Sequence, residues 1–305
     1  MKNRILELKQ KKNALILAHY YTRPEVQEIA DFVGDSLALS QKAADTQADI
    51  ILFAGVHFMA ETAKILNPRK KVLIPDMNAS CSLADSCPAD EFAEFLKQYP
   101  KHTVLSYINC SAKVKALSDI IVTSGNALRI VNSLPKDEPI VFAPDFNLGS
   151  YINRETGREM VLWEGACHVH DQISAKDVSQ LRRFHLSAKV IAHPECPEEV
   201  LKEADFVGST AAMLKFVANT DHQEFIVVTE NGILHELKRQ NPDKRFYTLS
   251  AQGMDCECAN CKYMKYNTLE NILAALETEQ PELILDQKLM DAARQPIEKM
   301  LKMSK

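Results

Sequence analysis

A single unit written three times constrains this chain more than any other feature. Residues 15–19 read L-I-L-A-H, with V-G-D-S at 33–36; residues 104–109 read V-L-S-Y-I-N, with V-T-S-G at 122–125; residues 190–195 read V-I-A-H-P-E, with V-G-S-T at 207–210. His19 to Ser36, Tyr107 to Ser124 and His193 to Thr210 are each 17 residues apart, and the copies recur after 88 and then 86 residues. Self-similarity at a fixed period marks one supersecondary unit used repeatedly.

Each copy carries an apolar run of the kind shown by a strand buried on both faces of a parallel sheet. In the first copy A-L-I-L-A at 14–18, I-I-L-F-A at 50–54 and V-L-I at 72–74 alternate with helical stretches, the pattern of a doubly wound unit. Residues 3–12 have helical spacing, Pro24 sits near the start of a short helix, and Pro88 opens an acidic helix with Phe92, Phe95 and Leu96 on one face. Beyond residue 262 the chain is a helical tail with an apolar stripe of Leu269, Ile272, Leu273 and Leu276, expected to dock on the core. The expected fold is therefore α/β: three similar three-layer α/β/α domains with short parallel sheets, at 1–83, 84–170 and 171–261, and a C-terminal tail at 262–305 packing back on them. Such units would surround a central axis with pseudo-threefold symmetry and a shared cavity. Ligands of these sheets bind beyond the carboxyl ends of the strands. The residues that fall there are His19, Tyr21, Ser36, Tyr107, Asn109, Ser124, His193, Glu195, Ser209 and Thr210.

Composition narrows the function. In 305 residues, 36 Lys and Arg stand against 41 Asp and Glu, which leaves no basic footprint for nucleic acid. No run of about 18 apolar residues is present, so no membrane span is expected. The N-terminus alternates charge with Ile and Leu and has no signal-peptide pattern, so the expected location is the cytoplasm. Eight cysteines in such a chain read as buried thiols and metal or catalytic ligands rather than as a disulfide framework.

The period sorts those cysteines. Cys81 lies 62 residues after His19 and Cys167 lies 60 after Tyr107. In the third copy Cys256, Cys258 and Cys261 lie 63, 65 and 68 after His193, and spacing does not choose among them. Each follows the last strand of its unit on a loop. Cys87, Cys110 and Cys196 have no counterparts in all three units and read as bystander thiols. Three thiolates from three loops suit either zinc with an open position or a cubane iron–sulfur cluster with one vacant iron.

Several stretches together carry a resemblance to a known family. They include A-H-Y-Y-T-R-P-E-V-Q, F-V-G-D-S-L-A-L-S, G-V-H-F-M-A-E-T-A-K-I-L, L-I-P-D-M-N-A-S-C-S-L-A, F-A-P-D-F-N-L-G-S-Y-I, C-H-V-H, A-H-P-E-C and C-K-Y-M-K-Y-N-T-L-E, spread over residues 14–273. The chain resembles the quinolinate synthases. The resemblance implies condensation of iminosuccinate with dihydroxyacetone phosphate to quinolinate, phosphate and water in de novo NAD biosynthesis. It implies a [4Fe-4S] cluster held by Cys81, Cys167 and Cys261, the last through the C-x-x-M-K segment, and L-aspartate oxidase as a transient functional partner. Two departures stand out: Cys256 and Cys258 add thiols beside the third ligand, as a redox-sensitive pair or exchangeable ligands, and Cys110 stands where the family more often has Thr.

Both implied substrates are anions, so the site needs donors. Ser36, Ser124, Ser209 and Thr210 supply hydroxyls at helix starts, and His19 and His193 add donors able to carry positive charge. Asn109 suits a carbonyl oxygen. Glu195 is the expected base, with His193 beside it, and Tyr21 and Tyr107 are expected acids or relays. His168 and His170 fit either orientation of the cluster loop or simple exposure. Met59 to Thr62 fit either a lid over the cavity or core packing. The readings from other classes are a zinc-thiolate hydrolase or lyase on the same thiols, and a non-enzymatic small-anion or redox-sensing module.

Overall fold

Residues 1–249 and 259–305 are described in the computed structural model, and there each copy of the repeat folds into a four-stranded, wholly parallel sheet. The first holds β1 (Ala14–His19), β2 (Phe32–Gly34), β3 (Ile50–Ala54) and β4 (Lys71–Leu73). The second holds β5 (Thr103–Tyr107), β6 (Ile120–Val122), β7 (Ile140–Ala143) and β8 (Val161–Leu162). The third holds β9 (Lys189–Ala192), β10 (Phe206–Val207), β11 (Glu224–Val228) and β12 (Arg245–Tyr247). The strand order is the same each time: the second strand lies at one edge beside the first, and the third and fourth follow on the other side.

The register repeats too. Leu17 pairs with Phe32 and Phe53, Leu105 with Ile120 and Phe142, and Ile191 with Phe206 and Val227. His19, Tyr107 and His193 thus stand at equivalent strand ends. The apolar runs are buried, as strands covered on both faces require: every residue of β3, β6 and β7 is inaccessible.

A repeated aspartate fixes this register, and the sequence reading overlooked it. The Oδ2 atoms of Asp31, Asp119 and Asp205 accept the backbone N–H of Ile16, Val104 and Val190, each at 2.8 Å. Each aspartate's own N–H returns to the carbonyl of the same partner. A carboxylate that accepts a backbone N–H at the entry of an edge strand leaves one alignment of the two strands satisfied.

The tail divides its packing. The helix Leu269–Thr278 lies on the first helix, Lys2–Lys11, and on β3, burying Ile272, Ala275 and Leu276, with Leu269 and Leu273 partly covered by the same cluster. The long helix Gln287–Met303 lies on the helices Ala112–Ala116 and His57–Leu66 and on β6, joining the first two sheets. Its Met290, Ile297 and Met300 are buried, at about 1.5–3 kcal/mol of transfer free energy each. Arg294 Nη2 donates to the Ile65 carbonyl at 2.7 Å and Asn126 Nδ2 to Ser304 Oγ at 2.8 Å. Phe58 to Thr62 belong to the buried start of the helix His57–Leu66, so this stretch is wall rather than a free flap.

Candidate active site

At the ends of β1 and β9 the backbone makes the same turn. His19 Nδ1 accepts the N–H of Tyr21 at 3.2 Å, and His193 Nδ1 accepts the N–H of Glu195 at 3.4 Å. With Nδ1 so engaged, the proton of each neutral ring sits on Nε2. His193 Nε2 lies 3.2 Å from Ser124 Oγ of the second unit and donates to it. Burial lowers the pKa of His19 to about 3, helped by His193, and that of His193 to about 4 against the pull of Glu195. The sequence reading allowed these histidines a positive charge; their burial makes them neutral N–H donors at physiological pH.

Two residues beyond each histidine the copies diverge, and both side chains cross into another unit. Tyr107 donates to Glu195 Oε1 at 2.5 Å, and His170 Nδ1 lies 2.9 Å from Glu195 Oε2. Tyr21 Oη lies 2.8 Å from Thr229 Oγ1 and 3.3 Å from Thr210 Oγ1, and Thr229 Oγ1 lies 2.9 Å from His170 Nε2. One buried chain of hydrogen bonds therefore runs Tyr21, Thr229, His170, Glu195, Tyr107, through all three units. Burial pushes the Glu195 carboxyl upward, but the neighbouring His170 and His193 and the hydrogen bonds from His170 and Tyr107 outweigh it and hold the pKa down to about 2. Burial, with the Glu195 charge adding, raises both tyrosines well above the usual phenol range, so both keep their protons.

Cys81, Cys167 and Cys261 stand outside helix and strand, as expected, and each is the N-cap of a four-residue helix, Ser82–Asp85, His168–Asp171 and Lys262–Lys265. The residues that follow tie the three turns together: Ser82 Oγ lies 2.6 Å from His168 Nδ1, and the His168 ring meets Tyr263 edge-on at 5.9 Å. Burial raises all three thiols, Cys261 to about 11. Cys87, Cys110 and Cys196 are buried in the cores of their units. Cys256 and Cys258 lie outside the described residues.

A cavity of about 60 Å³ is bordered by His19, Tyr21, Ser36, Tyr107, Asn109, Ser124, His193, Glu195 and Thr210, by the three cysteines, and by Phe58 and Met59. Ser209 is not among its walls; its Oγ caps the helix Thr210–Ala218 by accepting the Ala212 N–H. Asp35 makes the equivalent cap on the helix Ser36–Asp45.

The second unit breaks that pattern. The register places Thr123 opposite Asp35 and Ser209, but the helix there begins only at Ala127, and Asn126 Oδ1 takes the Thr123 N–H. The Thr123 hydroxyl is left buried without a hydrogen-bond partner, bordering the cavity, and Asn109 Oδ1 beside the same cavity is likewise unsatisfied. Buried polar atoms of this kind mark places where a bound molecule completes the hydrogen bonding.

Sequence reasoning missed Thr123, Thr229, Asp145 and Glu230, and left His170 undecided. Asp145 and Glu230 occupy one repeat position, two residues past the aligned ends of β7 and β11. Both are buried; Glu230 Oε1 accepts the N–H of Cys261 at 3.1 Å, whereas Asp145 Oδ1 accepts that of Leu148 at 2.7 Å and its Oδ2 is left without a hydrogen-bond partner. Lys265 Nζ pairs with Glu230 at 2.8 Å. Gly232 is required here, because a Cβ would stand 2.6 Å from the Tyr21 Cα. Extending the 17-residue comparison to the third strand of each unit would have exposed this set.

A family model described as "Quinolinate synthetase A protein" matches residues 3–302. The chain is 56% identical to the quinolinate synthase of Thermosynechococcus vestitus over 300 residues, 98% of this chain and 94% of the relative. It is 55% identical to that of Gloeothece citriformis, with 98% and 92% covered, and 54% identical to that of Synechocystis sp., with 98% and 94% covered.

Proposed function

The chain belongs to the quinolinate synthetase A family and its activity is that of a quinolinate synthase; from that premise we propose how its residues carry the reaction. The substrates are iminosuccinate and dihydroxyacetone phosphate, and the three sheet units act as domains about one central cavity of pseudo-threefold symmetry. The observation that carries this reading is the hydrogen-bonded chain from Tyr21 to Tyr107 through Glu195, in which all three units contribute ionisable groups to one buried site.

Binding falls to neutral donors. The Nε2–H groups of His19 and His193, the hydroxyls of Ser36, Ser124, Thr210 and Thr123, and the amide of Asn109 receive carboxylate, phosphate and carbonyl oxygens. In a water-poor cavity such hydrogen bonds are stronger than at the surface. Glu195, an acceptor at neutral pH, takes a proton from carbon next to a carbonyl or imine, and His170 and Tyr107 hold its two oxygens for that step. Tyr21 and Tyr107, both kept protonated, return protons to the carbonyl oxygen and to the leaving hydroxyl. His170 and Thr229 connect Glu195 to Tyr21, so a proton gained at Glu195 is two side chains from the site that supplies protons at Tyr21.

Cys81, Cys167 and Cys261 would hold the [4Fe-4S] cluster. Among the described residues these thiols do not form a group whose donor atoms all lie within 4.8 Å of one another. Thiolates around one tetrahedral zinc are about 3.8 Å apart, given a Zn–S bond of about 2.3 Å. The family match over residues 3–302 favours the cluster over a zinc-thiolate hydrolase on the same thiols. When bound, the cluster supplies an open Lewis-acid iron for the final dehydration. Its three thiols need a reducing compartment, which supports a cytoplasmic location; no helix among the described residues is long and apolar enough to cross a membrane. A hydrolysable imine substrate supports transient coupling to L-aspartate oxidase.

Anaerobic iron and sulfide analysis, coupled to quinolinate formation from dihydroxyacetone phosphate and freshly generated iminosuccinate, tests the reading. Cluster-replete protein should form quinolinate and release phosphate. Replete protein that forms none would overturn it.

A further inference from the structure

We propose that the chain without its cluster carries a mononuclear zinc site made by Cys167, His170 and Glu195. Among the described residues these three place their donor atoms within 4.8 Å of one another. His170 Nδ1 is 3.3 Å from Cys167 Sγ and 2.9 Å from Glu195 Oε2. Bond lengths of about 2.3 Å to sulfur and about 2.0–2.1 Å to nitrogen and oxygen set tetrahedral donors about 3.3–3.6 Å apart. A small widening of the His170–Glu195 pair, with the Cys167–Glu195 separation brought from within its 4.8 Å bound to the same range, therefore admits the ion.

The donors are already oriented. Thr229 Oγ1 holds His170 Nε2 at 2.9 Å and turns Nδ1 inward, while Tyr107 holds Glu195 Oε1, so that Oε2, now paired with His170 Nδ1, is the oxygen that turns to the ion. One thiolate, one imidazole and one carboxylate, with a fourth place facing the cavity, is a donor set for zinc rather than for calcium or magnesium. On binding, the Cys167 thiol proton passes to solvent and the contact between His170 Nδ1 and Glu195 Oε2 opens.

Cys167 belongs to both sites, so zinc withholds a ligand from the cluster. That consequence rests on the reading of Cys167 as a cluster ligand; the zinc site itself does not. Zinc then acts as a trap that keeps the cluster-free chain from reassembly.

The test uses full-length protein freed anaerobically of iron, titrated with Zn²⁺ against a competing chelator and examined by X-ray absorption. One tight zinc with one sulfur and two or more nitrogen or oxygen neighbours is expected. Cys81→Ala should bind it as the wild type does, His170→Ala more than about 100-fold more weakly, and Thr229→Val about tenfold more weakly, as for loss of an outer partner. One equivalent of zinc should block iron–sulfur reconstitution of the wild type but not of His170→Ala. Should His170→Ala fail to fold, Glu195→Gln, expected to weaken zinc by at least about tenfold, carries the same test. Zinc lost in Cys81→Ala and kept in His170→Ala, or a sphere of three sulfurs, would overturn the proposal. Wild-type protein that takes up no iron even without zinc would sink the cluster reading and leave the zinc measurement standing.

Discussion

His19 and His193 stand at the same place in the first and third units and lock their rings by the same bond, yet two residues later one unit has Tyr21 and the other Glu195. The shared part sets geometry: a neutral ring with Nε2 facing the cavity. The divergent part sets chemistry: a phenol that keeps its proton against a carboxylate that keeps its charge. The second unit diverges earlier, with Tyr107 in the histidine position, and its phenol bonds to Glu195 of the third. On the proposed function, the repeat supplies three strand-end mounts in the same register, and substitution at the mounts makes one asymmetric site.

The comparison breaks most completely at the positions that stay alike. Cys81→Ser, Cys167→Ser and Cys261→Ser should each lose the cluster and all quinolinate formation, while Cys87→Ser, Cys110→Ser and Cys196→Ser keep iron; anaerobic iron analysis reads both sets. The divergent positions come next. Glu195→Gln should lower turnover by about 10³–10⁴ with the cluster intact, and Tyr21→Phe by about 10², the range of positioned acid–base groups. Steady-state kinetics on cluster-replete variants decides this, and equal losses would erase the distinction drawn between the two mounts.

A third prediction concerns what the mounts share. Both histidines fold with lowered pKa, about 3 and about 4, so the unfolded chain takes up protons that the folded chain refuses as pH falls from about 6.5 toward 4. Stability should therefore be full above about pH 7 and fall by about 2 kcal/mol per histidine by pH 5. Calorimetric unfolding of the cluster-free chain should show this slope, and His193→Asn should be less steep by one histidine's share. The smallest effect is expected at Thr123, which the broken cap leaves facing the cavity. Thr123→Val should raise KM about three- to tenfold, as for one hydrogen bond of about 1 kcal/mol, with little change in kcat; Ser209→Ala should instead lower Tm and leave KM alone, because its hydroxyl caps a helix.

The strand ends were legible in the sequence because parallel strands buried on both faces leave uninterrupted apolar runs, and the residue after such a run is visible by its polarity. His19, Tyr107 and His193 emerged in this way, and so did the tetrads that follow. Thr229, Asp145 and Glu230 were not legible, because they act from the third strand of each unit, where a single acid or hydroxyl between a strand and a helix looks like an ordinary cap. His170 was undecidable for another reason: its role depends on Glu195 and Thr229 approaching from a different unit, and sequence spacing holds no information about contacts between units. The aspartates at 31, 119 and 205 carried the period all along, but an aspartate before an edge strand also reads as a turn residue.

The central claim is that the two divergent mounts, Tyr21 and Glu195, are joined by one hydrogen-bonded chain, and a double-mutant cycle on cluster-replete protein tests it most directly. Turnover of Tyr21→Phe, Glu195→Gln and the pair together should show that the double variant loses little more than Glu195→Gln alone, because either change interrupts the same path. Losses that multiply, about 10² on top of about 10³–10⁴, would mean that Tyr21 and Glu195 act independently and would contradict the account.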